Sequence, residues 1–195
     1  MLKNTQMLLQ ELGHYADPHH RIARMVRDGR LVRLTRGLYA DNLQNCGPIV
    51  ANLLCAPSYL SFEYALSCYD LIPEAIRSWT SATWQKRKKK VFRTPIGFFF
   101  YRDIPTAAYP WEVTLCTQPE GSYLLASPEK ALCDQLCVIE PLQSQKDLED
   151  RLFEDMRIDE DDFLALNMAT LLELSPLYRK KNLDLLHKYT KRRKK

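Results

Sequence analysis

Apolar residues in the first forty positions recur at helical spacing and then at strand spacing. Met7, Leu8 and Leu12 share one face of a helix predicted from Leu2 to Leu12, which Gly13 closes. Asp17 can accept from the free N–H groups of a first turn and Pro18 has the φ that this turn needs, so a second helix runs through Ile22, Met25 and Val26. Gly29 suits the position just past its end because glycine adopts positive φ cheaply. Beyond it Leu31, Leu34 and Leu38 stand between arginines in near alternation, and Gly37 punctuates them into a short hairpin.

Gly47-Pro48 breaks the chain after the hairpin, and Ile49 to Leu54 then reads as a buried helix that stops before Pro57. Ser58 or Ser61 can cap the next helix, in which Leu60, Tyr64, Ala65 and Tyr69 form an apolar face. From Ile76 the pattern becomes strand-like. Ser78 to Thr80, Lys89 to Thr94 and Gly97 to Arg102 are candidate strands, with Thr94-Pro95-Ile96-Gly97 as the turn between the last two. Ser127-Pro128-Glu129 marks a helix start, through a hydroxyl cap, a preset φ and a carboxylate in the first-turn dipole, and Leu132, Leu136 and Ile139 make its buried stripe. Helices over Asp147 to Met156, Asp159 to Leu174 and Lys180 to Lys195 follow, with Ser175-Pro176 separating the last two. The fold class read from this pattern is α+β, with a small sheet over about 76–126 and helices over 127–195.

Charge changes this picture in one stretch above all. Arg21, Arg24, Arg27, Arg30, Arg33 and Arg36 recur at every third position, opposed only by Asp28. Helix, turn and basic hairpin in that order is the shape that ends a winged helix-turn-helix, whose helix enters the major groove and whose ribbon reaches the DNA backbone. Arginines that meet phosphates release counterions and give a salt-dependent affinity for any sequence. Their stems also cover apolar surface on an ordinary solvated helix, which charge alone ranks first. The candidate DNA contacts are Arg21, Arg24 and Arg27 on the helix and Arg33, Thr35 and Arg36 on the hairpin. A second run, Lys86-Arg87-Lys88-Lys89-Lys90, reads first as a solvated loop and more sharply as a second nucleic-acid contact, to which Trp79 and Trp84 can add base stacking. The net charge of +4 conceals an asymmetry: between Glu140 and Ser175 eleven acids face Lys146, Arg151 and Arg157, while Lys191 to Lys195 forms a basic tail.

Three blocks carry a resemblance. Arg27 to Tyr39, with the pattern Gly-x-Leu-x-Arg-Leu-x-Arg-Gly-x-Tyr, is similar to the wing of the AbiEi-type antitoxin family, the transcriptional regulators of type IV toxin–antitoxin pairs. Tyr59 to Leu66 running to Leu71-Ile72-Pro73-Glu74, and Ala126 to Asp134, resemble later parts of the same family in the same order. The resemblance implies a winged helix-turn-helix over residues 1–42 and a C-terminal antitoxin domain over 43–195. It implies binding to double-stranded DNA at the chain's own promoter, autorepression, and opposition to a nucleotidyltransferase-type toxin without a stable complex. This sequence departs from the pattern at its start. The family usually offers three helices before its wing, and forty residues leave room for two, so the unit is shortened or its first helix has become a turn around His14 to Ala16.

Other chemistries find little support. There is no Gly-rich phosphate loop, no His-Glu-x-x-His and no Gly-x-Ser-x-Gly, so neither catalysis nor a cofactor is expected. His14, His19 and His20 lack an acidic or thiol partner at ligand spacing, which argues against a metal. Glu63, Asp70, Glu129 and Asp134 are the carboxylates that could converge from separate helices. Cys46, Cys55, Cys68, Cys116, Cys133 and Cys137 show no Cys-x-x-Cys spacing and read as reduced, mostly buried thiols. With no run of about eighteen apolar residues and no leader-like stretch, the expectation is a soluble cytoplasmic protein without membrane contact. The alternative is a protein-interaction module that has lost operator recognition, supported by the short N-terminus and the acidic 140–175 segment.

Overall fold

In the computed structural model, which describes residues 1–44, 46–74 and 76–193, Leu2–Asn4 is a strand (β1) where the apolar spacing predicts a helix. Lys194 and Lys195 of the basic tail lie outside the described residues. The helix start moves to Thr5 because Asn4 caps it: its Oδ1 accepts from Met7 N at 2.9 Å, opening α1 (Thr5–Glu11). The second helix, α2 (Pro18–Arg27), begins as predicted, with Asp17 accepting from His20 N at 2.9 Å, and Gly29 follows its end at φ +70°. β2 (Val32–Thr35) and β3 (Leu38–Ala40) form the hairpin through Gly37, at φ +85°. β1 pairs antiparallel on the free side of β3, giving a three-stranded sheet of order β1-β3-β2.

The chain then enters α3 (Gly47–Leu54), β4 (Ser58–Leu60) and α4 (Phe62–Cys68). Next come β5 (Trp79–Thr83), β6 (Lys90–Thr94), β7 (Gly97–Asp103), β8 (Val113–Gln118) and β9 (Gly121–Ala126). These six strands form one sheet of order β6-β7-β5-β4-β9-β8, parallel at β5–β7 and β4–β9 and antiparallel elsewhere. Within β7 the aromatic run alternates, Phe99 and Tyr101 buried and Phe98 exposed.

Two local expectations change here. Ser58–Leu60, where a helix cap at Ser58 and a helical Leu60 are expected, is a strand inside the sheet with all three residues buried. Ser61 precedes α4 but makes no cap hydrogen bond. Thr80 of β5 does that work, its Oγ1 accepting from Tyr64 N at 3.0 Å and donating to the Ser61 carbonyl at 2.7 Å.

After the sheet, Ser127 caps α5 (Pro128–Val138) through Lys130 N. A capping box at Ser144 and Asp147 starts α6 (Gln145–Glu149), which runs into a π-helical segment, Asp150–Asp155. The single helix predicted from Asp159 to Leu174 is two, α7 (Glu160–Ala165) and α8 (Met168–Leu174). Asn167 makes the break: its Oδ1 caps α8 by accepting from Ala169 N and Thr170 N, and its own N–H donates to Glu129 Oε1 at 2.8 Å. Phe163, Leu166, Leu171 and Leu174 are buried on both sides of it, so apolar periodicity alone does not reveal the interruption. A 3-10 turn, Ser175–Tyr178, leads to α9 (Lys181–Arg193). The chain is thus α+β, with two sheets and, among the described residues, nine α-helices.

One apolar cluster runs through the six-stranded sheet and α3, α4, α5 and the C-terminal helices, and Leu34 and Ala40 of the hairpin belong to it. Leu8, Ile22 and Leu31 form a second, small cluster that fastens α1 and α2 together. Trp79 sits at a close approach: its indole stacks on Phe99 with centroids 4.6 Å apart, and a Cβ on Gly47 would fall 2.2 Å from its ring.

The interior also holds an ion pair. Lys130 and Asp134, one turn apart on α5, have no exposed side-chain surface, and Lys130 Nζ lies 3.0 Å from Asp134 Oδ1. The ammonium also donates to the Ala108 carbonyl (2.7 Å) and the Tyr178 hydroxyl (2.6 Å), which occupies its three protons. Asp134 accepts from Tyr59 (2.9 Å) and Ser61 (2.7 Å) at Oδ2 and from Tyr178 (2.6 Å) at Oδ1.

Lys130→Met is expected to destabilise the fold by about 3–5 kcal/mol, because it strands a buried carboxylate, and a urea titration measures this directly. Gly47→Ala is expected to cost about 1–3 kcal/mol by forcing the Trp79 indole away, with a matching loss of near-ultraviolet circular dichroism. A Gly47→Ala chain as stable as the parent would show that this approach is not close in solution.

Candidate nucleic-acid interface

Burial of Ile22, with Met25 and Val26 half-buried, decides which side of α2 meets solvent. The opposite side carries His20, Arg24 and Arg27, at i, i+4 and i+7, all exposed. Arg24 and Arg27 occupy the last turn, where the helix dipole favours cations. Arg27 has a loose ion pair with Asp28, 3.8 Å at the surface, which holds it weakly. Arg21 is placed differently from its neighbours. It is half-buried, its guanidinium lies 4.7 Å from the centroid of the Tyr15 ring, and its Nε has no hydrogen-bond partner among the described residues.

Strand alternation arranges the hairpin. Leu34 points into the core while Arg33 is exposed, its Nε bonding weakly to the Thr35 carbonyl at 3.4 Å, and Arg36 is exposed at the turn. Thr35 is half-buried. Leu31, just before β2, packs in the small cluster with Ile22 of α2, so the helix face and the hairpin are held as one unit by apolar contact. Of the six residues singled out from sequence, Arg24, Arg27, Arg33 and Arg36 are exposed, while Arg21 and Thr35 are only partly so.

The lysine-rich run follows β5 and reaches the first residue of β6, Lys90. Lys86 is half-buried with its Nζ on the Ala56 carbonyl at 2.8 Å, whereas Arg87, Lys88, Lys89 and Lys90 are exposed. Asp103 anchors the loop, accepting from Arg87 N at 2.6 Å and from Thr83 Oγ1 at 2.6 Å. Arg87, Lys88 and Lys89 border a cleft of about 410 Å3 that Arg102 and Lys180 also line. Sequence reading missed those last two, because only the fold brings them to residues so far away along the chain. The tryptophans expected to assist by stacking are both half-buried and engaged: Trp79 on Phe99, and Trp84 through Nε1 on Thr106 Oγ1 at 2.9 Å.

The four candidate carboxylates have separate surroundings. Glu63 pairs with Arg102 (2.9 and 3.2 Å), Glu129 caps the approach to α8, Asp134 is in the buried network, and Asp70 is exposed after α4. The six cysteines are free thiols, though only Cys46, Cys55 and Cys133 are buried. Burial pushes the Cys133 thiol well up, Cys137 up to about 11, and Cys46 and Cys68 upward too, so these four are protonated at neutral pH. Among the described residues no group of three or more His, Cys, Asp or Glu is placed to hold a metal ion, and no helix is long and apolar enough to cross a membrane. What this surface offers chemically is a set of exposed guanidinium and ammonium groups on rigid elements, suited to phosphate oxygens. No protein-family model and no curated protein matches the sequence, so the role of the arginine face rests on its geometry and charge.

Proposed function

We propose that the chain is a DNA-binding transcriptional regulator of the AbiEi antitoxin type, acting on its own promoter and opposing a nucleotidyltransferase-type toxin. The observation that carries the DNA-binding part is the pairing of an exposed Arg24–Arg27 helix face with an exposed Arg33–Arg36 hairpin on one apolar-anchored unit. The order β1, α1, α2, β2, β3, with β1 on the far side of β3, supports a winged helix-turn-helix in which α2 is the recognition helix and β2–β3 the wing. β1 pairs with β3 and completes the three-stranded sheet behind the wing. Arg24 and Arg27 then face the major groove, while Arg33 and Arg36 meet phosphates, which position the protein without reading bases. The antitoxin part rests on the three sequence blocks.

Fluorescence anisotropy with the duplex immediately upstream of the gene, against a scrambled duplex and over a series of salt concentrations, tests this reading. Tighter binding of the upstream duplex is expected. The Arg33→Ala/Arg36→Ala chain is expected to bind more weakly, with its log–log salt slope reduced by about 2, since each lost phosphate contact removes about 0.9. An unchanged slope removes the wing from the contact surface. Equal affinity for both duplexes sinks operator recognition and favours the protein-interaction alternative.

A further inference from the structure

A pocket lies away from the arginine face. It has a volume of about 730 Å3 and is lined in part by Leu43, after β3, and by Gly47 and Pro48 at the start of α3. Tyr64 of α4, Trp79 of β5 and Tyr123 of β9 line it together with Ile96 of the β6–β7 turn. Its aromatic wall is built by close packing: Trp79 lies on Phe99 and against two glycines, Gly47 and Gly97, where a Cβ would come within 2.2 and 2.9 Å of the indole. Arg77 is the one charged side chain among the described residues that line the pocket. It is exposed and has no ion-pair partner among the described residues. Burial raises the Tyr64 and Tyr123 phenols above their ordinary range, so neither contributes negative charge at neutral pH.

Such a lining has a definite complement. Pockets of about 300–1,000 Å3 with apolar and aromatic walls and a few polar groups are the usual sites for small molecules. Aromatic side chains favour a flat ring, and one unpaired guanidinium fork favours one carboxylate, which it can hold through two parallel hydrogen bonds. We propose that this pocket binds a small planar aromatic carboxylate, with Arg77 holding the carboxylate, Tyr64 and Tyr123 beside the ring, and Trp79, itself held on Phe99, contributing only its free edge to the wall. The site is independent of the arginine face, and its test uses no nucleic acid.

The test is calorimetric titration of the full chain with naphthalene-2-carboxylate and with naphthalene-2-carboxamide, which has the same shape without the charge. Saturable binding of the acid at one site is expected, at least about tenfold tighter than the amide, the size of a charge-assisted contact. In Arg77→Ala the acid falls to the affinity of the amide, and in Arg77→Lys part of the preference returns. Absence of saturable acid binding by the parent chain overturns the proposal, as does equal affinity for acid and amide. A preference for the acid that survives Arg77→Ala places the site elsewhere and overturns it too. The comparison within the parent chain decides the matter even where a variant folds poorly.

Discussion

Lys130 and Asp134 face each other on α5 out of reach of water, and charges so placed are tolerable only when their hydrogen-bonding positions are filled. Filling them draws on four separate parts of the chain: Tyr59 from β4, Ser61 from the start of α4, the Ala108 carbonyl from the loop after β7, and Tyr178 from the 3-10 turn before α9. The pair therefore ties the helical C-terminal part to the centre of the large sheet. It also explains a detail of α4. Because the Ser61 hydroxyl is committed to Asp134, the first turn of that helix must find another acceptor, and Thr80 from the neighbouring strand provides it.

A packing constraint does the corresponding work on the neighbouring strand, β5. Trp79 occupies space that any side chain at Gly47 would need, so the segment leaving the hairpin lies directly on β5. Together with the burial of Leu34 and Ala40 in the main cluster, this seats the N-terminal sheet on the body of the protein. The first two helices depend on less, a small cluster of Leu8, Ile22 and Leu31. Marginal local cores of this kind open more readily than the main one.

Charge is divided along the same lines. Exposed arginines cluster on the N-terminal unit and exposed lysines on the loop before β6, whereas several of the acids have structural employment at helix starts. Asp147 completes a capping box, and Asp159 accepts from Asp161 N at 2.8 Å to begin α7, with Glu160, Asp161 and Asp162 in its first turn. Five of the eleven acids between Glu140 and Ser175 thus lie at helix starts.

The sequence by itself determined what depends on neighbours in the chain. Asp17, Gly29, Gly37 and Ser127-Pro128 set helix and turn boundaries that the structure keeps. The exposure of Arg24 and Arg27 follows from helical spacing around Ile22 in the same way. Only the tertiary structure could decide the rest. Leu2–Asn4 and Ser58–Leu60 are strands because partners far along the chain pair with them, and three residues carry too little pattern to reveal it. Arg21 left the basic face for the Tyr15 ring, Lys180 and Arg102 joined the lysine-rich loop, and Lys130 met Tyr178, all through contacts that periodicity does not encode. The physical reason is that spacing along a helix or strand says which side of an element is apolar, while the identity of what packs there is set by which distant segments the whole core brings together.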